Sequence, residues 1–550
     1  MQLRSLLSFL FVLLLVIPTS FAQRLSKADK SVIKNLKAHV TYLADDRLEG
    51  RRTGTQGEKL AAQYISEQFA AIGLLAKGDR GTFFQSFEIN DGKQVAAGSF
   101  LQINDVAVPL YTGYFPFAFS VDGKGEGSTA ISLRESGQPW FLNLTELMLA
   151  NTHNPHFEWV EAIKEQANDA AKKGANALIV YHTSTKIEEP AFEPKQRGTS
   201  PSIPVYYVMQ KTASTFFSDP TATLRIKFQH QLQTVNRQGV NVVGYIDNNA
   251  PTTVILGAHF DHLGYGEDKN SMYTGTAPMI HNGADDNASG TAALIELARI
   301  LKLSKVKKNN YAFVAFSGEE LGLYGSKYFV ENPTFPIQTA NYMINMDMVG
   351  RLNDSTKALT LGGWGTSPVW GQAIDPTKAP FTVKIDSVGS GPSDHTSFYR
   401  KDIPVLFFFT GVHSDYHRPS DDADRINYNG QLLIVRYIQQ VITAVNDRGK
   451  LAFTKTREPQ MGARSAFRVT LGIMPDYTFS GTGVKAEGVT EGRPAAKAGM
   501  QAGDVVLKLG EHVCSDVQAY MQALGKFKKG DTAKIVYQRG TQTLEAEVTF

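Results

Sequence analysis

The chain has 550 residues, of which 42% are hydrophobic, 20% charged and 10% aromatic. This composition is typical of soluble globular proteins and excludes disordered and fibrous classes. The length exceeds what one compact core supports, so we expect about three domains. Lys and Arg total 56 and Asp and Glu 53, for a formal net charge of +3, and the basic residues are scattered. Without a basic stripe, nucleic acid is excluded as a main partner.

The amino-terminal residues follow the order of a secretory signal peptide. Arg4 precedes an apolar run from Leu6 to Ile17, and small residues suited to cleavage end at Ala22. The alternative is a membrane anchor, but a run of about a dozen residues is shorter than the roughly twenty that a spanning helix needs. We therefore predict a cleaved signal peptide over residues 1–22 and an exported chain, in a bacterial periplasm, at the cell surface or secreted.

The sequence contains a single cysteine, Cys514, which has no partner for an intramolecular disulfide. No cysteine stands at the predicted cleavage site, which argues against lipid attachment. A large exported chain without disulfides suits a bacterial envelope better than a eukaryotic secretory route.

Apolar spacing divides the rest of the chain into segments of different character. Residues at helical spacing predict helices over Lys27 to Leu43 and Gln56 to Ile72. Short β-rich runs with one helix, from residue 98 to 229, predict an inserted domain. From Val240 to Val445, buried strands alternate with amphipathic helices, as in an α/β domain with a mostly parallel sheet.

The predicted architecture is an α/β domain in two parts, residues 24–97 and 230–448, interrupted by the β-rich insertion at 98–229. A charged stretch with a proline at 449–462 predicts a linker. Short strands with Gly-rich turns around one helix predict a small C-terminal β domain over residues 463–550.

Acidic and histidine residues follow several predicted strands of the α/β domain. The clearest strands are Thr253 to Gly257, Tyr311 to Phe316, Tyr342 to Met346 and Pro404 to Phe409. In an open parallel sheet, ligands bind in the crevice at the carboxyl ends of the strands. The residues that stand there or in the loops beyond are His259, Asp261, Asp285, Asp286, Glu319, Glu320, Asp347 and His417.

The residue types in this set indicate a metal site. Imidazoles and carboxylates without cysteine are the ligands of catalytic zinc, which also keeps an open position for water. Two histidines and three carboxylates exceed the needs of one tetrahedral ion, but they suit two ions about 3.5 to 4 Å apart that share a carboxylate. We therefore predict two Zn²⁺ per chain, and Co²⁺ or Mn²⁺ can occupy similar sites.

These motifs, in this order, resemble those of the co-catalytic di-zinc aminopeptidase family, in particular bacterial leucyl aminopeptidase-like peptidases. Glutamate carboxypeptidases and glutaminyl cyclases are relatives of that family. The resemblance covers roughly residues 32–87 and 240–445.

The resemblance implies a metal ligand for each motif. His259 and Asp347 would hold one zinc, and Glu320 and His417 would hold the other. Asp285 would bridge the two ions.

The resemblance also implies roles beside the metals. Asp261 would orient His259, as a carboxylate often does for a metal-bound imidazole. Glu319 would be the general base that takes a proton from the attacking water and returns it to the leaving amine. Asp286 matches a position where the family often has an unusual peptide bond after the bridging aspartate.

A further segment, Ser393-Asp394-His395, resembles a family segment near the substrate pocket. Asp394 or His395 would then position the substrate or stabilise the developing oxyanion, and structural hydrogen bonding in a loop is the alternative. Three other histidines have no assigned role, with pocket lining or a structural role favoured over ligation: His262, His281 and His413.

The insertion resembles a protease-associated domain, through a helix-to-strand pattern over residues 170–180 and the later Ile203-Pro204-Val205. This implies a lid or a substrate-selecting wall beside the cleft, and a passive insertion is the alternative.

The C-terminal unit resembles a PDZ domain of the bacterial protease type. The resemblance rests on the Leu471-Gly472-Ile473-Met474 segment and on the Ala-Gly-Met-Gln-Ala-Gly-Asp run that ends at Asp504. It implies a peptide carboxylate bound near Leu471 and Gly472 while the peptide adds as a strand. A degenerate domain that only tethers or stabilises is the alternative.

The predicted function is therefore hydrolysis of the first peptide bond of substrates with a free amino terminus, by an exported zinc exopeptidase. Carboxypeptidase or glutaminyl cyclase activity is the rival among enzymes, although cyclase relatives tend to lack the full Asp285-Asp286-Asn287 pattern. A peptide-binding or adhesion protein with a structural zinc site is the rival outside enzymes. The full ligand set and the extra carboxylate of Glu319 argue against it.

Overall fold

The computed structural model describes residues 25–550 except 152–158, 186, 197–199, 276, 457–468, 476–478, 480–481, 491 and 516. The predicted signal peptide and the second half of the predicted linker lie outside the described residues. Contacts divide the chain into two compact units, Met1–Gln85 with Val240–Phe550, and Ser86–Gly239. The second unit contains the predicted insertion and extends beyond it at both ends.

A mixed sheet lies at the centre of the first unit. In spatial order, the strands of its main path are Leu75–Ala76, Leu232–Ile246, Asn310–Phe316, Thr253–His259, Ala340–Met346, Val405–Phe409, Ala358–Gly362 and Thr382–Ile385, and Phe84–Val95 pairs with the second of them. The third to sixth of these strands run parallel to one another. Their carboxyl ends therefore meet along one edge, and the predicted α/β class with a mostly parallel sheet is confirmed.

The central strands are buried on both faces, which explains their nearly continuous apolar sequence. In the strand Asn310–Phe316, Tyr311 and Phe313 belong to one apolar core, whereas Ala312 and Val314 belong to the core on the opposite face. Neighbouring strands, helices and loops supply the rest of both cores. The described α-helices are Lys27–Leu43, Gln56–Ile72, Gly290–Lys302, Tyr324–Glu331, Pro368–Ala373, His395–Tyr399 and Tyr428–Val445, and the short 3₁₀ turns are Asp46–Arg51, Asp79–Gly81, Ile337–Thr339, Trp364–Thr366, Pro376–Lys378 and Ala423–Arg425.

The second unit contains two four-stranded sheets. The first sheet is antiparallel, with the order Val106–Val108, Phe100–Ile103, Thr223–His230 and Gly123–Ala130. The second is mixed, with the order Tyr114–Pro116, Val205–Val208, Ala177–Tyr181 and Pro139–Asn143. Its described helices are Leu144–Leu149, Trp159–Lys172 and Gln210–Phe216.

The C-terminal domain has a separate apolar core and a sheet whose described strand pairs are antiparallel. The strands are Ile473–Pro475, Val484–Val489, Val505–Leu509, His512–Val513, Thr532–Arg539 and Gln542–Thr549, and the helices are Pro494–Lys497 and Val517–Leu524. Cys514 is fully buried in this core, where it acts as a small apolar side chain. No helix in the described part of the chain has both the length and the apolarity needed to cross a membrane.

Candidate metal centre

Strand ends bring the first group of polar side chains together. His259 is the last residue of the strand Thr253–His259, and Asp347 directly follows the neighbouring parallel strand Ala340–Met346. The Nε2 atom of His259 lies 3.3 Å from Oδ1 of Asp347 and 3.3 Å from Oδ1 of Asp286. Its Nδ1 atom lies 3.2 Å from the carbonyl oxygen of Asp261. A protonated Nδ1 bonded to that carbonyl leaves the Nε2 lone pair directed at the two carboxylates.

Loop residues form the second group. The Nε2 atom of His417 lies 3.2 Å from Oδ2 of Asp286 and 3.3 Å from Oε2 of Glu320. The Nδ1 atom of His417 lies 2.8 Å from the carbonyl oxygen of Asn270. The same tautomer argument therefore applies, and the free Nε2 of His417 faces the carboxylates.

The carboxylate between the two histidines belongs to Asp286, which corrects the prediction of Asp285 by one residue. Each oxygen of Asp286 faces one histidine. Asp285 points elsewhere: its Oδ1 accepts hydrogen bonds from the Gly350 amide at 2.7 Å and the Ser289 hydroxyl at 2.9 Å. Its Oδ2 lies 3.2 Å from Nε2 of His413. The peptide bond between Asp286 and Asn287 is cis.

His262, which had no assigned role in the sequence, lies beside the second group. Its Nδ1 is 2.8 Å from Oε1 of Glu320, whereas it is 3.9 Å from Oδ2 of Asp286. The atoms of His262, Asp286 and Glu320 are close enough together to hold an ion. The short contact of His262 is a hydrogen bond that orients Glu320, whereas Nε2 of His417 lies near both carboxylates.

Two buried residues that sequence reasoning missed hold the Asp285–Asp286 segment. Oδ2 of Asp421 accepts hydrogen bonds from the amides of Asp285 and Asp286, at 3.0 and 3.1 Å. The guanidinium of Arg51 donates to the carbonyl oxygens of Asn282 and Gly283, at 2.6 and 3.0 Å. Burial raises the pKa of Asp421 to about 6 and lowers the pKa of Arg51 to about 10.

Glu319 lines the cleft but belongs to neither histidine–carboxylate pair, His259–Asp347 or His417–Glu320. Its Oε2 is 4.0 Å from Nε2 of His259, and its backbone amide donates to Oδ1 of Asp261 at 3.2 Å. The other oxygen of Asp261 accepts from the Thr53 hydroxyl at 3.0 Å. Asp261 therefore connects the imidazole ring of His259 to the backbone of Glu319.

Burial and neighbouring charges shift the acid–base properties of this cluster. Burial raises the pKa of Glu319 well above its ordinary value, and the neighbouring carboxylates of Glu320 and Asp347 add to the effect. Burial also opposes charge on Glu320, but His417 outweighs it and lowers the pKa of Glu320 to about 2. Burial disfavours a charged His259, yet the nearby carboxylates raise the pKa of this imidazole well above its ordinary value. Glu319 and Glu320 are adjacent in the sequence, yet their pKa values shift in opposite directions.

The segment Ser393-Asp394-His395 divides into two parts. His395 lines the cleft and stacks on Phe407, with ring centroids 4.4 Å apart, and burial lowers its pKa to about 3. Asp394 is fully buried, and burial raises its pKa to about 7. The remaining walls of the cleft are largely apolar, with Met348, Val388, Phe407, Phe409 and Val412 among the lining residues.

The donor set fits a divalent metal pair. Two imidazole nitrogens converge on three carboxylates at 3.2 to 3.3 Å, and one of those carboxylates faces both imidazoles. Cysteine is absent from the set, so nitrogen and oxygen ligands of the kind that zinc accepts in catalytic sites are the only ones present among the described cluster residues.

Comparison with known proteins gives the class of this domain. Residues 241–442 match the model of peptidase family M28, and residues 459–550 match the PDZ domain. The chain thus carries an M28 peptidase domain followed by a C-terminal PDZ domain, and it is a hydrolase of the metallo-aminopeptidase class. The predicted class and the predicted PDZ domain are confirmed.

The chain is similar to proteins from bacteria and fungi. It is 24% identical to Aminopeptidase YwaD of Bacillus subtilis over 435 residues, which cover 75% of this chain and 85% of that protein. It is 28% identical over 205 residues to a probable leucine aminopeptidase of Arthroderma otae, covering 35% of this chain and 53% of that protein. Among solved structures, BSAP, a zinc aminopeptidase from Bacillus subtilis, aligns with 77% of this chain and 96% of its own at 19% identity and a TM-score of 0.42.

Proposed function

We propose that this chain is an exported two-zinc aminopeptidase that removes single residues from the free amino ends of peptides. The observation that carries the proposal is the position of Asp286, whose two oxygens face two separate histidine–carboxylate pairs. One site of four ligands would not need a carboxylate directed at both imidazoles. A shared carboxylate is the arrangement that two-metal hydrolases use.

Each ion would have a defined set of ligands. His259 and Asp347 would hold the first zinc, and Glu320 and His417 would hold the second, with Asp286 shared between them. Zinc bound there would supply Lewis acidity, which polarises the scissile carbonyl and lowers the pKa of water. His262, through Glu320, and Asp261, through His259, would fix the orientation of these ligands.

Glu319 would act as the general base. It lies in the cleft 4.0 Å from His259, and burial raises the pKa of its carboxyl toward the range in which proton transfer at neutral pH is efficient. It would accept a proton from the attacking water and then donate it to the nitrogen of the leaving amine. Asp261 keeps the backbone of Glu319 in place through the amide hydrogen bond at 3.2 Å.

The cleft also supports a preference for substrates with an apolar first residue. Its walls include Phe407, Phe409, Val412 and Met348, while the carboxylates of the metal centre cluster around His259 and His417. A free α-ammonium group would be attracted to those carboxylates, whereas an acetylated amino terminus would not. Neutral His395 would contact the substrate as part of the wall rather than as a charged group.

The other domains and the location of the chain belong to the same proposal. The signal-like sequence over residues 1–22 supports export to a bacterial periplasm, the cell surface or the medium. The insertion would act as a protease-associated domain that selects substrates, and the PDZ domain would bind the carboxyl end of a peptide. Under this proposal, hydrolysis of a dipeptide needs neither substrate selection by the insertion nor peptide binding by the PDZ domain.

The test is mass spectrometry of a mixed peptide digest after incubation with the purified, zinc-loaded chain. Each peptide is supplied both with a free amino terminus and with an acetylated one. We expect stepwise loss of residues from free amino ends only, with apolar first residues removed fastest. Trimming from carboxyl ends, cyclisation of amino-terminal glutamine, or cleavage of the acetylated peptides at the same rate would contradict the proposal.

A further inference from the structure

The two predicted metal positions are supported by different parts of the chain. His259 ends a central strand, and Asp347 follows the strand next to it, so the sheet fixes both. His417 instead lies in a loop after the strand Val405–Phe409. Its backbone φ angle is +53°, in the left-handed region that a side chain with a Cβ atom rarely adopts. Such a residue keeps its conformation only when its surroundings enforce it.

A short stretch of chain from Gly264 to Met272, which we call the 264–272 segment, makes the contacts that hold His417. The carbonyl oxygen of Asn270 lies 2.8 Å from Nδ1 of the imidazole ring. The backbone amide of Met272 donates to the carbonyl oxygen of His417 at 2.9 Å. The segment therefore fixes both the ring and the backbone of a single proposed ligand.

The same segment reaches the second ligand of this position. The side-chain amide of Asn270 lies 3.3 Å from the carbonyl oxygen of Glu320 and 3.5 Å from its Oε2. In the described part of the chain, the first metal position has no corresponding contact with this segment: Nδ1 of His259 bonds instead to the carbonyl oxygen of Asp261, two residues further along the chain. One metal position thus depends on the sheet, and the other depends on the segment.

An ion pair anchors the segment to the amino-terminal part of the domain. Nε of Arg52 donates to Oδ2 of Asp268 at 2.7 Å, and Nη2 donates to Oδ1 at 3.2 Å. Both side chains are largely buried, with 19% and 10% of their surface exposed, which protects the pair from screening by salt. This bidentate geometry fixes the direction of the segment as well as its distance.

A close backbone contact forms the base of the segment. The amide of Gly264 donates to the carbonyl oxygen of Gly50 at 3.2 Å. A Cβ atom on Gly50 would lie 2.8 Å from the carbonyl oxygen of Gly264, so only glycine permits this approach. The anchor and the base together leave Asn270 and Met272 little freedom to move away from His417.

We propose that Arg52, Asp268 and Asn270 are positioning residues that set the zinc affinity of the Glu320–His417 position alone. The proposal rests on the proposed two-zinc function. Loosening the segment removes the hydrogen bond that fixes the tautomer and direction of the His417 ring, and partners of this kind typically contribute 10- to 100-fold to metal affinity. The His259–Asp347 position keeps its affinity, because the segment makes no contact with either of its ligands among the contacts described above.

The experiment measures zinc release from the full chain into a colorimetric chelator, with zinc per chain counted by native mass spectrometry at intervals. We compare the unmodified chain with Asp268→Asn, which keeps the shape of the side chain but weakens the ion pair. The expected result is that one of the two ions leaves roughly 10 to 100 times faster from the variant, while the other leaves at the unchanged rate. Adding His417→Ala to Asp268→Asn is expected to abolish the fast phase.

Two further variants serve as controls. Asp504→Asn weakens a bidentate pair with Arg539, at 2.8 and 2.8 Å, in the C-terminal domain, and it is expected to leave both release rates unchanged. Arg52→Lys retains the positive charge, and its zinc release rate is expected to fall between those of the unmodified chain and Asp268→Asn. This variant tests the proposal if Asp268→Asn folds poorly. Equal acceleration of both ions, or no acceleration of either, would overturn the proposal. An unmodified chain that binds fewer than two zinc ions would instead contradict the proposed function.

Discussion

The edge of the peptidase sheet and the C-terminal domain are built on opposite principles. At the sheet edge, ionisable side chains are buried next to one another, including His259, Asp286 and Glu319. The C-terminal domain buries mainly apolar side chains, and even its cysteine acts as one. Burying unpaired charge is costly, and a chain sustains such a cluster only with partners that compensate it. The sheet edge therefore gives up stability for a cluster of reactive side chains, whereas the PDZ domain is built around an apolar core.

The sharpest way to break this comparison is to substitute the two neighbouring aspartates separately. Asp286→Asn removes the charge that both proposed metal positions would share. We therefore expect zinc binding to weaken by more than the roughly 10- to 100-fold that is typical for residues that only orient a metal ligand, and hydrolysis to fall with it. Asp285→Asn disturbs only the contacts to Gly350, Ser289 and His413. We expect it to lower the free energy of unfolding by roughly 1.5 to 3 kcal/mol and to retain zinc. Zinc content and urea unfolding check both.

This pair of residues also marks the limit of what could be predicted from the sequence. The strands, their burial and the position of the site at their carboxyl ends follow from apolar patterning and from the geometry of parallel sheets. The choice between two adjacent aspartates does not, because the backbone of the turn decides which one faces His259 and His417. Asp421, more than a hundred residues further along the chain, holds that turn through two amides.

Other residues that contact the site could not be predicted from the sequence for a related reason. Asn270 and Arg51 act on or through backbone carbonyl groups, which every residue type offers and no motif identifies. His262 was found in the sequence but could not be assigned, because its contact with Glu320 joins two different loops. The protease-associated identity of the insertion and the export of the chain remain predictions.

Glu319→Gln is expected to have the next largest effect. The amide cannot accept the proton from water, so we expect turnover to fall by roughly 10² to 10⁴ while zinc per chain stays the same. Glu331→Gln is the matched control, because Glu331 is an exposed glutamate at the end of a nearby helix. Steady-state kinetics on a dipeptide with an apolar first residue provide the measurement. Unchanged turnover in Glu319→Gln would eliminate the assigned base.

Glu58 links the pH dependence of stability to the sheet edge. It is fully buried, and its carboxyl group accepts hydrogen bonds from the amides of Gly54 and Val240 and from the hydroxyl of Ser317, two residues before Glu319. Burial raises its pKa from 4.5 to about 7 in spite of these bonds. Because the folded chain binds this proton more tightly than the unfolded chain, the stability that it contributes is present below about pH 4.5 and is lost as the pH rises through about 7.

We therefore expect Glu58→Gln to remove up to roughly 3 kcal/mol of pH-dependent change in the free energy of unfolding between about pH 5 and about pH 8. Glu67→Gln on the same helix is the control, since Glu67 is exposed. Urea unfolding at both pH values, at equal zinc occupancy, gives the slope. A slope in Glu58→Gln equal to that of the unmodified chain would assign the pH dependence to other groups.

The smallest effect is expected where the comparison predicts that chemistry is absent. Ile535 in the C-terminal domain and Ile344 in the peptidase sheet are both fully buried in apolar cores. Replacing either by valine removes one methylene, which costs roughly 0.5 to 1.5 kcal/mol in either core. We expect Ile535→Val to shift only the unfolding transition of the C-terminal domain, with dipeptide turnover and zinc content unchanged.

Ile344 lies three residues before Asp347, so Ile344→Val tests whether removal of a methylene next to the proposed metal site also weakens zinc binding. If Ile535→Val changed dipeptide turnover as much as Ile344→Val, packing in the C-terminal domain would affect the peptidase site. The distinction drawn between the two regions would then be wrong.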